Sequence, residues 1–488
     1  MKLNSLLHVL HCTLELPDID VKGLKLDSRK VAVGDAFIAV PGHDVDGRDF
    51  ISGAVAAGAI VVLAEGSNWG IENIESVPMI HIPDLSKHLS KLASHFYGYP
   101  SQGMDVYGVT GTNGKTTVSH LLAQLFDRVT PPTAVIGTVG SGMIKALIPE
   151  TLTTPDPVTL QQRLASLRAE GAACVCIEVS SHALAQGRVE GIQFAGVVAT
   201  NLSRDHLDYH GTMEAYESAK KRLFTEFHSP IQVVNLDDVI IREWRQQDTI
   251  GFSLNDEWLG NPNTLVATDI EFTHEGSRFT LNWENESVRT HTQLLGEFNI
   301  ANILGACATA LAKGMSLAEL GALIGELTAV PGRMETFKLQ NGALAIVDYA
   351  HTPDALDHVL QAARRHCKGE LWCLFGCGGD RDRGKRPQMG QVAAQFADRI
   401  VITDDNPRTE DPQQIINDIV SGMPGGIAYE ATEGRANAVR QTLAKLKPND
   451  VAVLAGKGHE TYQVIGTRRT DYDERTYVTQ LIEESAHD

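Results

Sequence analysis

The chain has no uncharged apolar run of the ~20 residues that a membrane-spanning helix needs. Its longest candidate, residues 54–64, is short and carries Gly58. Residues 1–12 lack signal architecture, because the apolar stretch is broken by Asn4, His8 and His11 and no cleavage region follows. These absences lead to the expectation of a soluble, cytoplasmic protein. Cysteine is scarce: seven residues, an odd and scattered set, read as reduced thiols rather than a disulfide framework. Cys174 and Cys176 alternate within an apolar run, as small residues on one strand face do. Cys373 and Cys377 could be half of a zinc site, but no second ligand pair follows at the required spacing, so buried thiols are expected. Positive charge is in deficit as well. Lys and Arg number 42 against 61 Asp and Glu, a net charge of -19, which argues against a general nucleic-acid binder. A local basic cluster can still receive an anionic small molecule.

The 488 residues exceed one ordinary domain, and three regions separate: 1–88, 89–330 and 331–488, the last opening at Pro331-Gly332-Arg333. In the second and third regions, apolar β-branched runs end abruptly in polar clusters. Residues 106–110 lead into Gly111, 172–179 into Ser180-Ser181-His182, and 194–200 into Asn201 and the residues after it. Further on, 344–347 lead into Asp348-Tyr349-Ala350-His351, 371–375 into a Gly-rich basic loop, 400–403 into Asp404 to Arg408, and 451–454 into Gly456-Lys457-Gly458-His459-Glu460. Helical spacing follows several of these loops, as in Val118, Leu121, Leu122, Leu125 and Phe126. Strand–loop–helix repetition predicts α/β architecture with parallel sheets, whose ligands bind beyond the carboxyl ends of the strands. The alternation over 278–283 reads as an antiparallel hairpin.

Gly111-Thr112-Asn113-Gly114-Lys115-Thr116-Thr117 is a phosphate-cradling loop. Backbone N–H groups of such a turn, and the helix N-terminus after it, bind phosphates. Lys115 is placed to reach the terminal phosphates and the Thr116 hydroxyl to bind Mg²⁺. The usual P-loop pattern has glycine where Val109 stands, so the loop is a variant. Glu178, Asp205 and His206 follow strand ends near it, and oxygen donors of this kind suit Mg²⁺. Lys220 shares a helix face with Tyr216, Leu223 and Phe227. Read from the residues alone it is an amphipathic lysine that snorkels, although a partly buried amine can also become a nucleophile and take up carbon dioxide as a carbamate. Asp208-Tyr209-His210-Gly211 matches the D-x-x-G element of switch GTPases, which leaves a nucleotide-dependent switch as a second class. A guanine-reading N-K-x-D is missing; Asn235-Leu236-Asp237-Asp238 comes nearest and has no lysine. Arg381, Arg383, Lys385 and Arg386 crowd one loop, with Arg383 and Lys385 read as solvated surface. Arg408, beside the Asn406-Pro407 turn, is better placed to fork a carboxylate.

Five ordered runs resemble the Mur ligase family: Gly108-Val-Thr-Gly-Thr-Asn-Gly-Lys-Thr-Thr117, Glu178-Val-Ser-Ser-His182, Asn201-Leu-Ser-Arg-Asp-His-Leu-Asp-Tyr-His-Gly211, Gly296-Glu-Phe-Asn-Ile-Ala-Asn302 and Asp348-Tyr-Ala-His-Thr-Pro353. The resemblance covers nearly the whole chain. It implies an N-terminal UDP-binding α/β domain, a central P-loop ATPase α/β domain with a small antiparallel portion, and a C-terminal Rossmann-like domain that binds an amino acid. The implied activity is an ATP- and Mg²⁺-dependent ligation of meso-diaminopimelate to the D-glutamate γ-carboxylate of UDP-N-acetylmuramoyl-L-alanyl-D-glutamate, through an acyl phosphate, with L-lysine as the alternative amine. By position the resemblance assigns Leu26, Ser28, His43, Asp44 and Val45 to the uridine diphosphate. Thr153, Thr154, Ser180, Gln186 and Arg188 would hold the muramyl dipeptide. Asn299, Arg333, Asp348 and His351 would meet ATP, together with 111–117. Arg381, Asp405, Asn406, Pro407, Arg408, Gly456 and Glu460 would bind diaminopimelate, with Arg408 forking its distal carboxylate and Glu460 meeting the ammonium end. Lys220 becomes the family's carbamylated lysine, a metal ligand with Thr116, Glu178 and His206, and Lys115, His206 and Lys220 are the catalytic set. Leu152 departs from the pattern, standing where a polar, asparagine-like contact is expected. A monomer without nucleic-acid or membrane partners is expected.

Overall fold

A computed structural model describes residues 1–42 and 45–485. The chain forms two compact units, Met1–Ile250 and Gly251–Asp488. The boundary expected at residue 88 lies inside a continuous helix, Leu85–Phe96, whose Leu85, Leu89 and Leu92 join the N-terminal core. That core also holds Leu3, Leu24, Ile38, Leu63 and Ile80. It lies on one face of a five-stranded sheet in the order Gly23–Lys25, Asp35–Ala39, Val61–Gly66, Val77–Pro83, Gly70–Ile74. The first four strands run parallel and the last is antiparallel to its neighbour.

The second sheet of the first unit is built around Asp105–Thr110. It pairs in parallel with Cys174–Glu178 on one side and Gly196–Ala199 on the other. Thr133–Gly137, although it follows Asp105–Thr110 in sequence, lies beyond Cys174–Glu178. The chain thus winds away in opposite directions from the central strand, the place where doubly wound sheets open a crevice. Register brings the loops to one level: Glu178 pairs with Val109, and Ala199 with Thr110. Three polar loops therefore leave one sheet edge side by side.

In the second unit, Thr264–Thr273, Gly276–Trp283 and Glu286–Thr292 form the antiparallel portion expected from the alternating pattern. The C-terminal sheet runs Glu335–Lys338, Leu344–Asp348, Val451–Ala455, Leu371–Phe375, Arg399–Ile402, Glu430–Ala431, parallel apart from the first strand. Its strands are apolar on both faces because helices cover both. Leu344 and Ile346 face helices Pro353–His366 and Pro412–Val420, while Ala345 and Val347 face helix Arg435–Lys445. Asp348 pairs with Ala455, and Phe375 with Ile402, so four more polar loops open at one edge. Among the described residues no helix is long and apolar enough to cross a membrane. All seven cysteines are free, and Cys373 and Cys377 are buried thiols, as expected.

Candidate active site

The phosphate loop joins strand Asp105–Thr110 to helix Lys115–Val129. Val109, the irregular position, is a fully buried strand residue whose carbonyl accepts the Val179 N–H at 2.8 Å. The turn begins only at Gly111, whose φ is +145° and where a Cβ would stand 1.9 Å from Thr200 Oγ1. Only glycine fits that conformation and that space. Asn201 then clamps the loop: its Oδ1 accepts the Asn113 N–H at 2.9 Å and its Nδ2 donates to the Asn113 carbonyl at 3.0 Å. The Asn201 carbonyl also accepts the Thr112 N–H at 2.8 Å. Asn201 stands within a recognisable run, yet its role as a clamp depends on the pairing of two strands that are distant in sequence.

Lys115 Nζ donates to the carbonyls of Gly111 at 2.9 Å and Thr112 at 2.8 Å. Lys220 Nζ donates to the same Gly111 carbonyl at 2.6 Å. Lys220 does not snorkel. It is 1% exposed on helix Met213–Thr225, with its ammonium 4.8 Å from the Tyr216 ring. Burial, and then the neighbouring charge of Lys115, pushes its pKa well below the ordinary lysine value. That shift favours loss of the proton from an amine beside the phosphate loop.

Glu178 is also buried, and it is fully engaged. Its Oε2 accepts from Thr116 Oγ1 at 2.8 Å and from Thr138 Oγ1 at 3.2 Å, and its Oε1 from the Thr138 N–H at 2.8 Å. Gly137 makes room, because a Cβ there would lie 2.1 Å from Glu178 Oε1. Thr138 and Gly137 escaped the sequence reading; their signal was the end of another apolar strand. Among the described residues no group of three or more His, Cys, Asp and Glu side chains converges to hold a metal. The hydroxyl–carboxylate pair Thr116–Glu178 nevertheless fits Mg²⁺, which takes one or two protein oxygens and completes its shell with phosphates and water. His206 (φ +51°) has its ring Nε2 3.4 Å from an Asp205 oxygen and packs on His182 at 4.8 Å and Tyr216 at 6.1 Å, the ring that also flanks Lys220.

The residues expected to hold the dipeptide form one network. Thr154 Oγ1 donates to the Glu178 carbonyl at 2.6 Å and accepts the Ser180 N–H at 3.1 Å. Arg188 donates to the Thr154 carbonyl at 2.7 Å and to Gln186 Oε1 at 2.6 Å, and Thr153 meets Thr138 at 3.0 Å. Leu152 is exposed, with an apolar side chain where a polar contact was expected. Leu26 is half-buried against the N-terminal core, Ser28 opens a short helical turn capped by Asp27, and Val45 is exposed. His43 and Asp44 lie outside the described residues.

The second unit carries the other cluster. Asp348 is buried, accepting the N–H groups of Met334 at 2.7 Å and Ala350 at 2.8 Å; burial raises its pKa against the pull of Arg333. Arg333 lies 5.0 Å from the Tyr349 ring, and His351 takes its orientation from the Tyr349 carbonyl at 2.8 Å. Asn299 is not brought to these groups by its bonds: its Nδ2 donates to the Leu295 carbonyl, just before its helix, at 2.8 Å, and its Oδ1 accepts from Asn302 Nδ2 at 3.1 Å. Gly456 joins the Asp348 strand to the next loop through its N–H on the Asp348 carbonyl at 3.0 Å. Asp405, Asn406, Lys457 and Glu460 make a bonded cluster, with Asn406 Nδ2 on Glu460 Oε2 at 3.1 Å. Pro407 is buried and carries the chain to Arg408, which has φ +51° and donates to the Gly379 carbonyl at 2.7 Å. Arg381 is exposed, near the face of Gly378 that Arg408 also covers. Arg386 is no surface residue: it is wholly buried between Glu410 and Asp418, each at 2.8 Å. Arg383 is largely exposed but pairs with Glu410 at 2.9 Å, and Lys385 donates to the His351 carbonyl at 2.7 Å. Lys457, wholly buried, was missed.

Three family models match the chain: the Mur ligase family catalytic domain over residues 20–97, the Mur ligase middle domain over 109–310, and the Mur ligase glutamate ligase domain over 332–458. A curated UDP-N-acetylmuramoyl-L-alanyl-D-glutamate–2,6-diaminopimelate ligase from Haemophilus influenzae (strain PittGG) is 45% identical over 467 residues, which is 94% of this chain and 95% of that one. A solved structure of a ligase of the same name is 35% identical, with a TM-score of 0.73 and full coverage of both chains. The fold extends to a Thermotoga maritima MurF ligase in complex with ADP, 18% identical, with a TM-score of 0.63 over 97% of this chain and 99% of that one.

Proposed function

The chain belongs to the Mur ligase family, and from that premise we propose that it is the ATP-dependent ligase that joins meso-2,6-diaminopimelate to the γ-carboxylate of D-glutamate in UDP-N-acetylmuramoyl-L-alanyl-D-glutamate, a step of peptidoglycan precursor synthesis. The observation that carries this choice is the 45% identity, over 94% of the chain, with a curated ligase of that activity. The switch reading has no comparable support. The Asp238 carboxylate, where a guanine reader would be sought, is spent on the N–H groups of Leu202, Ile240 and Ile241.

In the proposed reaction the glutamate γ-carboxylate attacks the γ-phosphorus of ATP, and ADP leaves. The resulting acyl phosphate is attacked at carbon by the amine of diaminopimelate, which gives up a proton as phosphate departs. The phosphate loop binds the nucleotide through its N–H groups and through Lys115, once that ammonium exchanges the Gly111 and Thr112 carbonyls for phosphate oxygens. Thr116 and Glu178 would hold Mg²⁺, with His206 and a carbamate on Lys220 completing the protein's share; the ion would neutralise phosphate charge. The depressed Lys220 pKa supports carbamate formation, since only a neutral amine adds to carbon dioxide. The network of Thr153, Thr154, Ser180, Gln186 and Arg188 orients the dipeptide beside Glu178. Asp348, Arg333 and His351 would serve the nucleotide, and Arg381, Arg408, Asn406 and Glu460 the amino acid.

Isotope transfer tests this directly. With ¹⁸O in the γ-carboxylate of the substrate glutamate, one labelled oxygen is expected in the released phosphate. Unlabelled phosphate would exclude carboxylate activation.

A further inference from the structure

We infer that Lys457 is the positioning residue of the amino-acid pocket: its buried ammonium fixes the Glu460 carboxylate and the Asn406 amide so that one free carboxylate oxygen receives the ammonium end of the incoming amino acid. This rests on the function proposed above and adds to it a residue that makes no contact with substrate itself.

Burying a lysine completely is costly unless its charge and donors are met. The side chain of Lys457 is 0% exposed. Its Nζ donates to Glu460 Oε2 at 2.7 Å and to Asn406 Oδ1 at 3.1 Å, with Asp405 Oδ1 at 3.7 Å and the Tyr462 ring at 5.5 Å. An ammonium has no acceptor capacity, so it dictates which atoms of its neighbours must face it. Asn406 Oδ1 is turned toward Lys457 and accepts the Val464 N–H at 2.9 Å as well. Its Nδ2 is thereby aimed at Glu460 Oε2, 3.1 Å away. Oε2 of Glu460 receives both donors, while Oε1 has no hydrogen-bond partner among the described residues. The carboxylate is thus held by one oxygen and offers the other.

The backbone is built to turn this lysine inward. Gly456 and Gly458, on either side, have φ +115° and +49°. A Cβ on Gly458 would come within 2.5 Å of Tyr349 Cβ. A residue with a side chain at either place would strain the turn that buries Lys457. The surrounding charges agree: Arg435 is paired with Glu474, so Lys457 is the cation that faces both Asp405 and Glu460. Without Lys457, Glu460 loses its charged anchor and is left with the Asn406 amide alone, whose flip the Val464 N–H still sets.

The test is steady-state kinetics on the full chain, wild type beside Lys457→Met and Lys457→Gln, with ATP, UDP-muramyl dipeptide and diaminopimelate each varied in turn. Loss of a charge-assisted anchor raises KM for diaminopimelate roughly tenfold or more in both variants. KM for ATP and for the dipeptide stays within about twofold of wild type. In a Glu460→Gln background, Lys457→Met adds little, because the two act through one carboxylate. An unchanged KM for diaminopimelate, an equal rise in all three, or full additivity with Glu460→Gln overturns the inference. Should Lys457→Met not fold, Lys457→Gln decides alone, since it keeps a buried donor without the charge. A wild type that ligates no diaminopimelate would instead overturn the underlying function, so the two failures are distinguishable.

Discussion

Two buried bases next to the phosphate loop differ in what their burial does. Burial lowers the pKa of Lys220 beside the phosphate loop, which favours the free amine that a carbamate needs. Lys220→Ala is therefore expected to lower kcat by ~10²-fold or more, with nucleotide affinity much less affected, because the loss falls on positioning of charge in the reacting complex. Nucleotide affinity lost in parallel with kcat would assign Lys220 to ATP binding alone. His120, in the helix after the loop, is buried and its pKa is pushed down to about 4 by burial. The unfolded chain takes up that proton near the ordinary value of about 6.5, so the folded state binds fewer protons between those limits. Stability from this group is complete above about pH 6.5 and is lost as pH falls toward 4, on the order of 3 kcal/mol in all. His120→Leu should flatten that part of the denaturation profile; a slope equal to that of wild type would contradict the burial argument. The depth of such residues was only partly legible. Helical spacing placed Lys220 on the apolar face, but spacing does not say how far that face is covered by the loop of another strand. Lys457 gave no apolar pattern at all, and only its two flanking glycines hinted at an inward turn.

At the scale of elements, strand–loop–helix repetition was legible because each strand is a β-branched run followed at once by polar residues. The irregular Val109 was explained only by register: it is the last core residue of its strand, two positions before the turn. Gly111→Ala places a Cβ against Thr200 at a φ reserved for glycine, so nucleotide binding should be lost while the N-terminal sheet remains intact. Equilibrium binding of an ATP analogue reads this out, and wild-type affinity would refute the packing argument. Helices Arg435–Lys445 and Glu474–Glu484 are tied by Arg435 and Glu474, bonded at 2.5 Å and both wholly buried. Glu474→Ala leaves a buried guanidinium unpaired and should cost ~3–5 kcal/mol, seen as a lowered Tm; a change below about 1 kcal/mol would mean that water takes the place of Glu474. That pair could not be read from sequence, since 39 residues separate its members.

Across the whole molecule, ordered motifs spoke for the chemistry more clearly than for the domain limits. The first expected limit falls within helix Leu85–Phe96, whose apolar face belongs to the N-terminal core; the two compact units divide at Gly251, while the glutamate ligase domain match begins at 332, beside the Pro331 linker. Under the proposed function both units contribute: the first would supply the phosphate loop, Lys220 and the dipeptide contacts, and the second Asp348, Arg408 and Glu460. Under the proposed function Arg408 would bear on the choice of amine, because the distal carboxylate that distinguishes diaminopimelate from lysine needs a forked cation. Arg408→Ala should remove most ligation of diaminopimelate, as an unpaired carboxylate in the pocket costs several kcal/mol; undiminished kcat/KM would place the carboxylate elsewhere. The most direct measurement is ADP formation by the purified chain with ATP, Mg²⁺ and UDP-N-acetylmuramoyl-L-alanyl-D-glutamate, with diaminopimelate, with lysine and with no amino acid. Rapid ADP release matched by tripeptide formation with diaminopimelate alone is predicted. Equal release with lysine, or release indifferent to any amine, would contradict the account.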